Sequence, residues 1–488
     1  MIIGRELEIQ QLDTIFSSNK AEFLAVYGRR RVGKTFLIRE FFSKKDCFFF
    51  YALGAQHARV SEQIYQFVRA IEETFYQTRI RLKEPATWAE TFELLHQHLE
   101  QHNASKLVLF FDELPWLASQ RSGFLAQLTY YWNKYWSTHS NIKLIVCGSA
   151  ASWMIENIIH HRGGLYNRVT VKMLLEPFDL NETKQFLMAK KCKFTEVQIA
   201  ELYMILGGVP YYLDFIDKKL SIPQNINHLC FHSKGQLLYE FQQLYTSLFA
   251  HAEYHEEIIR LLATKRKGMS KIELIEKSKL SSDGGTLTKR LRELEASGFI
   301  ERFTPYGYKE RNGYFRICDE FTLFYLTWIK PHLATLKRIK NVSDYWLEIC
   351  QMPTFKSWAG YAFEALCFKH IDIIKRKLGI HASAFIGSWQ YIPKKGSPEH
   401  GAQIDLLFDR HDDVITICEI KHTQHPYQLT KEEAKRLQTK IACFIHKTKT
   451  TKQIHTILIT NHPIKSTMYS EEMIVQNVIL KDLLTKLP

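Results

Sequence analysis

The sequence predicts an α/β multidomain protein, with a parallel sheet in its N-terminal half and a smaller, separate α/β domain at its C-terminal end. Three observations predict it. Residues 1–175 alternate apolar strand-like runs with amphipathic stretches of helical length, the rhythm of a parallel sheet. A glycine-rich loop lies between the first such strand and the helix after it. At 488 residues the chain exceeds what one hydrophobic core supports, so two to four domains are expected.

The elements follow in order. Phe23–Tyr27, Phe48–Tyr51, Lys106–Phe111 and Lys143–Cys147 read as strands. From Asp179 to Tyr245 the pattern is helical, broken at Gly207-Gly208-Val209-Pro210. Residues 254–318 read as three helices and a hairpin, and an aromatic-rich helical bridge containing Phe321, Phe324, Tyr325 and Trp328 leads to Pro353. The remainder reads as helix, strand hairpin, helix and strand.

Hydrophobic residues make up 45% and charged residues 24%, the balance of an ordinary folded protein. The formal charge of +14 and pI near 9.1 suit an anionic partner, nucleic acid first, although a basic protein that binds nothing larger than a nucleotide has the same composition. The nine cysteines form no C-x-x-C pair, which gives no sign of a zinc site or a disulfide framework. No signal-peptide pattern opens the chain, and apolar runs stop well short of the roughly 18–20 residues of a membrane span. A soluble, cytoplasmic protein without a membrane partner is expected.

Gly28-Arg29-Arg30-Arg31-Val32-Gly33-Lys34-Thr35 satisfies G-x-x-x-x-G-K-[ST] between a strand and a helix. Its glycines let the backbone curl so that N–H groups surround phosphates; Lys34 is expected on the β- and γ-phosphates and the Thr35 hydroxyl on Mg²⁺. Leu107–Phe111 followed by Asp112-Glu113 reads as a buried central strand with carboxylates at its C-terminal end, where α/β sheets place ligands. Asp112 is expected in the Mg²⁺ shell and Glu113 on the attacking water. Alone, such a run also fits a strand meeting a helix N-cap; the loop upstream favours ATP with Mg²⁺.

These motifs, with the opening Ile3-Gly4-Arg5-Glu6-Leu7-Glu8 and Gly207-Gly208-Val209-Pro210, resemble the archaeal-type ATPases of the STAND/AAA+ lineage. The resemblance implies that Ser149 is a polar sensor near the γ-phosphate. It also implies that Arg168 lies near the nucleotide or reaches a neighbouring subunit, which would make a homo-oligomer. A plain strand-end serine, an exposed arginine and an ordinary inter-helix turn are the alternatives. No second sensor arginine is evident, so hydrolysis is expected to be slow or dependent on a partner protein.

Ile258–Ala263, Ile272–Lys279 and Thr286–Ser297 have apolar periodicity, with Ile258, Leu261, Ile272, Ile275, Leu287, Leu291 and Leu294 as a shared core. With Phe299–Phe303 and Tyr314–Ile317 as a hairpin, this stretch resembles a winged helix-turn-helix. Thr286, Thr288, Lys289 and Arg292 would then face DNA, unless the module is a spacer or a protein contact.

Gln403–Phe408 and Val414–Lys421 read as two strands joined at Arg410-His411-Asp412-Asp413. Antiparallel pairing brings Asp405 opposite Cys418 or Glu419, and alternation puts Glu419 and Lys421 on one face. Converging carboxylates suit Mg²⁺ or Mn²⁺, and the lysine suits a developing phosphorane charge. The D…E-x-K arrangement resembles the PD-(D/E)xK nucleases, whose restriction-endonuclease-like domain is often fused to such ATPases; Glu364 then matches the extra acid on the first helix. The namesake proline is absent, and a bare E-x-K also fits a solvated strand face. Lys431–Phe444, with Lys435, Arg436 and Lys440, reads as a basic helix, either along a phosphate backbone or simply solvated.

The resulting expectation is an ATPase core at 1–178, a helical lid at 179–250, a winged helix at 251–320, a helical bridge at 321–353 and a nuclease-like domain at 354–488. Two functions remain open beside an ATP-dependent, DNA-acting protein with a metal-dependent nuclease tail: a non-cleaving regulatory switch or DNA-binding regulator, and a chaperone-like adaptor.

Overall fold

The computed structural model describes residues 1–485 apart from 103, 161–163, 166, 250, 279–283, 310–312, 337–344, 395–398 and 400. Tyr166, Lys279, part of the expected hairpin loop and part of the expected helical bridge therefore lie outside the described residues. The chain forms two compact units, residues 1–177 with 292–298, and residues 178–291 with 299–488. Among the described residues no helix is long and apolar enough to cross a membrane.

The first unit is built on a parallel sheet of β1 (Glu22–Tyr27), β2 (Phe48–Leu53), β3 (Leu107–Asp112), β4 (Ile142–Gly148) and β5 (Val171–Leu174), in the order β2-β3-β4-β1-β5. Its longer helices are α1 (Glu6–Ser17), α2 (Lys34–Phe42), α3 (Val60–Tyr76), α4 (Trp88–Glu100) and α5 (Phe124–Lys134). Strand residues alternate between two cores. Phe23, Phe50, Leu109, Phe111 and Leu144 pack with α3, α4 and α5, while Leu24, Val26, Val108, Phe110 and Ile145 pack with α1 and α2. Strands covered on both faces explain the unbroken apolar runs in the sequence. The order places β4 between the loop strand β1 and the acidic strand β3.

The second unit begins with α6 (Leu180–Ala189) and α7 (Glu196–Leu206). Asp179 caps α6, accepting from Glu182 N at 2.7 Å while the Glu182 carboxylate accepts from Asp179 N at 3.1 Å. Gly208 closes the turn after α7: a Cβ there would lie 1.8 Å from the Phe178 carbonyl oxygen.

Further on come α8 (Ala252–Thr264), β6 (Met269–Ser270), α9 (Lys271–Lys277), α10 (Gly284–Ala296), β7 (Ile300–Phe303) and β8 (Tyr314–Ile317), with an antiparallel sheet ordered β6-β8-β7. Here the expected core needs correction. Ile272 is 68% exposed, Leu261 and Ile275 are half-buried, and Leu262 and Leu274 are buried instead. Ser270 caps α9, accepting from Glu273 N, and a helix started there turns Leu274 inward and Ile272 out.

Helix α11 (Pro353–Lys369) leads into a second five-stranded sheet of β9 (Phe385–Tyr391), β10 (Ala402–Asp409), β11 (Val414–Lys421), β12 (Gln453–Thr460) and β13 (Gln476–Ile479), with α12 (Lys431–Thr448) between β11 and β12. The order is β13-β12-β11-β10-β9; β9, β10 and β11 run antiparallel, and β11, β12 and β13 parallel.

Candidate functional site

The loop after β1 is shaped by backbone geometry that glycine permits. Gly28 has φ 139°, and a Cβ there would lie 2.2 Å from the Leu175 carbonyl oxygen; Gly33 has φ 92°. Arg31, at φ 72°, takes the left-handed conformation without being glycine. Arg29 and Val32 are buried, and Arg30 lies with its guanidinium 5.9 Å from the Trp116 ring centroid. The buried Lys34 folds over the loop, its Nζ donating to the carbonyls of Gly28 at 3.0 Å and Arg29 at 2.8 Å. Burial pushes the Lys34 ammonium below its ordinary value, with Arg30 adding to this and Glu113 and Asp112 opposing it.

The acidic pair of β3 meets the loop. Thr35 Oγ1 donates to Asp112 Oδ2 at 2.7 Å, and the Tyr51 hydroxyl reaches the same oxygen at 3.4 Å. Asp112 is buried, and its Oδ1 accepts from Glu113 N at 2.9 Å. Glu113 has φ 47°, a strained conformation for a side-chain-bearing residue. Its carboxylate accepts from the Ser149 hydroxyl at 2.9 Å and the Ser149 N–H at 3.3 Å. A hydroxyl and a carboxylate, both oxygen donors that suit Mg²⁺, thus face each other at the start of α2.

Lys34, Thr35, Asp112, Glu113 and Ser149 are therefore brought together. Arg168 is not joined to them: it follows a turn after Leu165 and its side chain is exposed. Sequence reasoning gave no role to Arg5. Its guanidinium, almost wholly buried, donates to the carbonyls of Val32 at 3.3 Å and Glu176 at 2.7 Å, fastening the start of α1 to the loop. The available signal was the Gly4-Arg5 pair before α1, both at positive φ.

The C-terminal carboxylates form a second cluster. β10 pairs with β11 through Leu406 and Cys418, so the next step along the ladder faces Asp405 with Glu419. Lys421 Nζ lies 2.8 Å from Glu419 Oε1, and Lys440 Nζ, from α12, 2.5 Å from Glu419 Oε2. Gln403 Nε2 donates to Asp405 Oδ1 at 3.0 Å. Burial, then Asp405 and Glu419, push Glu364 up to about 8. Burial and Glu419 also raise Asp405. Burial acts on Glu419 in the same sense, but Lys440 and Lys421 together outweigh it and hold this carboxyl below its ordinary value.

Glu364, Asp405 and Glu419, expected as a three-carboxylate metal site, lie in one another's field, with Glu419 held by lysines. Among the described residues no group of three or more His, Cys, Asp or Glu is arranged to hold a metal ion. Glu419 is engaged by two ammonium groups, one of them Lys440, which sequence spacing did not reveal. Beside Asp405 opens a groove of about 620 Å³ lined by Lys435, Arg436, Thr439 and Lys440.

The parallel sheet, the glycine loop at its first strand and the Thr35–Asp112 contact are consistent with a P-loop NTPase domain. Residues 2–216 match the model of an ATPase domain family found predominantly in Archaea, so the expected likeness to archaeal-type ATPases holds over that range. The chain is 24% identical over 435 residues, 86% of its length and 87% of the relative's, to an uncharacterized protein of Methanocaldococcus jannaschii. An uncharacterized ATP-binding protein of the same organism is 44% identical over 45 residues, 9% of this chain and 76% of that protein. Among solved structures, the Walker-type ATPase of Pyrococcus abyssi is similar at TM-score 0.49 and 20% identity, covering 67% of this chain and 96% of that one. The ORC2 protein of Aeropyrum pernix, solved as ADPNP and ADP complexes, is similar at TM-score 0.41 and 15% identity, covering 68% of this chain and 95% of that one.

Proposed function

We propose that this protein binds and hydrolyses Mg-ATP in its N-terminal unit and acts on DNA through its C-terminal unit, with nucleotide state controlling that action. The observation that carries the first half is the convergence of Lys34, Thr35, Asp112, Glu113 and Ser149 on one loop. Lys34 exchanges its carbonyl partners Gly28 and Arg29 for the phosphates, and loop N–H groups orient them. Thr35 and Asp112 would hold Mg²⁺, which when bound neutralises phosphate charge. Glu113 orients water and accepts its proton at a carboxylate oxygen, while Ser149 holds that carboxylate in place. The exposed Arg168 is read as reaching either this nucleotide or that of a neighbouring subunit.

For the second half, the groove beside Asp405 supports DNA: Lys435 and Arg436 of α12 line it beside the Glu419-paired Lys440 and suit a phosphate backbone. We read Glu364, Asp405, Glu419 and Lys421 as a nuclease-like set, and α8, α9, α10 with β6, β7 and β8 as a winged helix. A second reading, a non-cleaving DNA-binding regulator, is favoured by the two lysines that neutralise Glu419. Supercoiled plasmid incubated with Mg²⁺ or Mn²⁺, with and without ATP, separates the two. Nicking that is lost in Asp405→Ala supports the nuclease, and its response to Lys34→Ala reads out control by ATP. DNA binding and ATP turnover without nicking leave the regulator.

A further inference from the structure

The turn between α8 and β6, Lys265-Arg266-Lys267-Gly268, belongs to the helical module, yet it lies against the C-terminal carboxylates. The Arg266 guanidinium lies 4.2 Å over the ring of Tyr361 on α11. Tyr361 sits one helical turn before Glu364, so both project from the same face of α11. A cavity of about 170 Å³ is lined by Arg266, Tyr361 and Glu364 together.

A second contact holds the module in register. Arg316 of β8 stacks 4.0 Å over Phe368, also on α11. Beyond β7, Tyr306 docks on the C-terminal sheet: its N–H donates to the Ser388 carbonyl at 2.9 Å and its hydroxyl to Asp409 Oδ2 at 3.2 Å. The Tyr306 ring packs with Trp389, Ile404 and Phe444. The turn is thus fixed on two sides rather than presented by a loose linker.

The charges are distributed unevenly. Lys265 is committed to Glu273 at 2.5 Å. Among the described residues Lys267 has no carboxylate within ion-pair distance, but it lies in the field of Asp405 and Glu364 while burial lowers its ammonium. Arg266 likewise favours the ionised form of Glu364. Lys267 is exposed and follows directly on Arg266, so the turn offers an anion two adjacent cations beside the cavity that Glu364 lines.

We propose that Arg266, with Lys267 beside it, binds phosphates of the DNA backbone next to Glu364, so that the helical module supplies part of the phosphate clamp. This rests on the reading that the C-terminal unit takes DNA.

The test is fluorescence anisotropy of a labelled duplex oligonucleotide with the full-length protein, titrated between 50 and 200 mM NaCl. Each phosphate contact contributes about 0.9 to the slope of log K against log salt. Lys267→Gln is expected to lower the slope by about 0.9, the Arg266→Gln/Lys267→Gln pair by about 1.8, and each step weakens binding roughly eightfold at 0.1 M salt. Lys267→Arg is expected to keep the wild-type slope. Wild-type binding with an unchanged slope in both glutamine variants overturns the clamp and leaves the DNA reading intact. An equal loss in Lys267→Arg and Lys267→Gln also overturns it, because the charge is then not what matters. No binding by the wild type, to duplex or to single strands, overturns both.

Discussion

The Ser149 hydroxyl donates to the Glu113 carboxylate at 2.9 Å, across from the strand that carries Asp112. Glu113 is already confined by its left-handed backbone, so this bond fixes the remaining freedom of its carboxylate. Ser149→Ala is expected to leave nucleotide affinity within about twofold and to lower kcat about tenfold, equivalent to about 1.4 kcal/mol of transition-state stabilisation. Steady-state ATP turnover alongside fluorescent-nucleotide binding checks it; an equal loss in both would assign Ser149 to binding.

Gly28 has two reasons to be glycine, its φ of 139° and the 2.2 Å approach that a Cβ would make to Leu175 O. The obstacle is backbone, which cannot swing aside. Gly28→Ala is therefore expected to destabilise the N-terminal unit by roughly 2–4 kcal/mol. Urea unfolding followed by tryptophan fluorescence measures this, and an unchanged midpoint would refute it.

Lys369 bonds both oxygens of the buried Glu320, at 2.8 and 2.9 Å. Burial alone raises Glu320, and Lys369 opposes that rise. Lys369→Met strands a buried carboxylate and is expected to cost about 3–5 kcal/mol. Adding Glu320→Gln is expected to return most of it, a non-additivity that a double-mutant cycle reads directly.

His370 is buried; its Nε2 accepts from Leu180 N at 3.0 Å and its Nδ1 bonds the Leu366 carbonyl at 2.8 Å. Burial pushes this imidazole down to about 4 from an unfolded value of 6.5. Its folded value is depressed, so the unfolded chain takes up the proton first as pH falls. Full stability is present above pH 6.5 and is lost towards pH 4, by about 3 kcal/mol. Denaturant midpoints across this window are expected to fall in the wild type and to flatten in His370→Asn.

How much of this was legible depended on the range of the interaction. Lys34, Thr35 and Asp112 could be read because a loop motif and an apolar run each fix local geometry. Strand alternation and a short turn narrow the partner of Asp405 to Cys418 or Glu419, and the register of β10 on β11 selects Glu419. The sequence pattern does not mark β5, β6, β9 or β13; β5, β6 and β13 are short, and a strand's pairing is set by distant neighbours rather than by its own pattern. Apolar periodicity places Ile272 in the core, yet the Ser270 cap sets the helical phase that turns it to solvent. Lys440 on Glu419 and Arg266 beside Glu364 depend on how separate elements pack, and nothing in the local sequence encodes that.

Around this patch Glu364, Asp405 and Glu419 are set against Lys421, Lys440, Arg266 and Lys267, so acids and cations are nearly matched. This patch therefore stands at an electrical tipping point. Replacing one lysine by a neutral residue would make it attract cations, and replacing one acid would make it attract anions. Neither exchange disturbs the apolar residues beneath the sheet. Ligand polarity here can drift in either direction while the scaffold stays the same, so chains of this architecture can diverge in what they hold without diverging in how they fold.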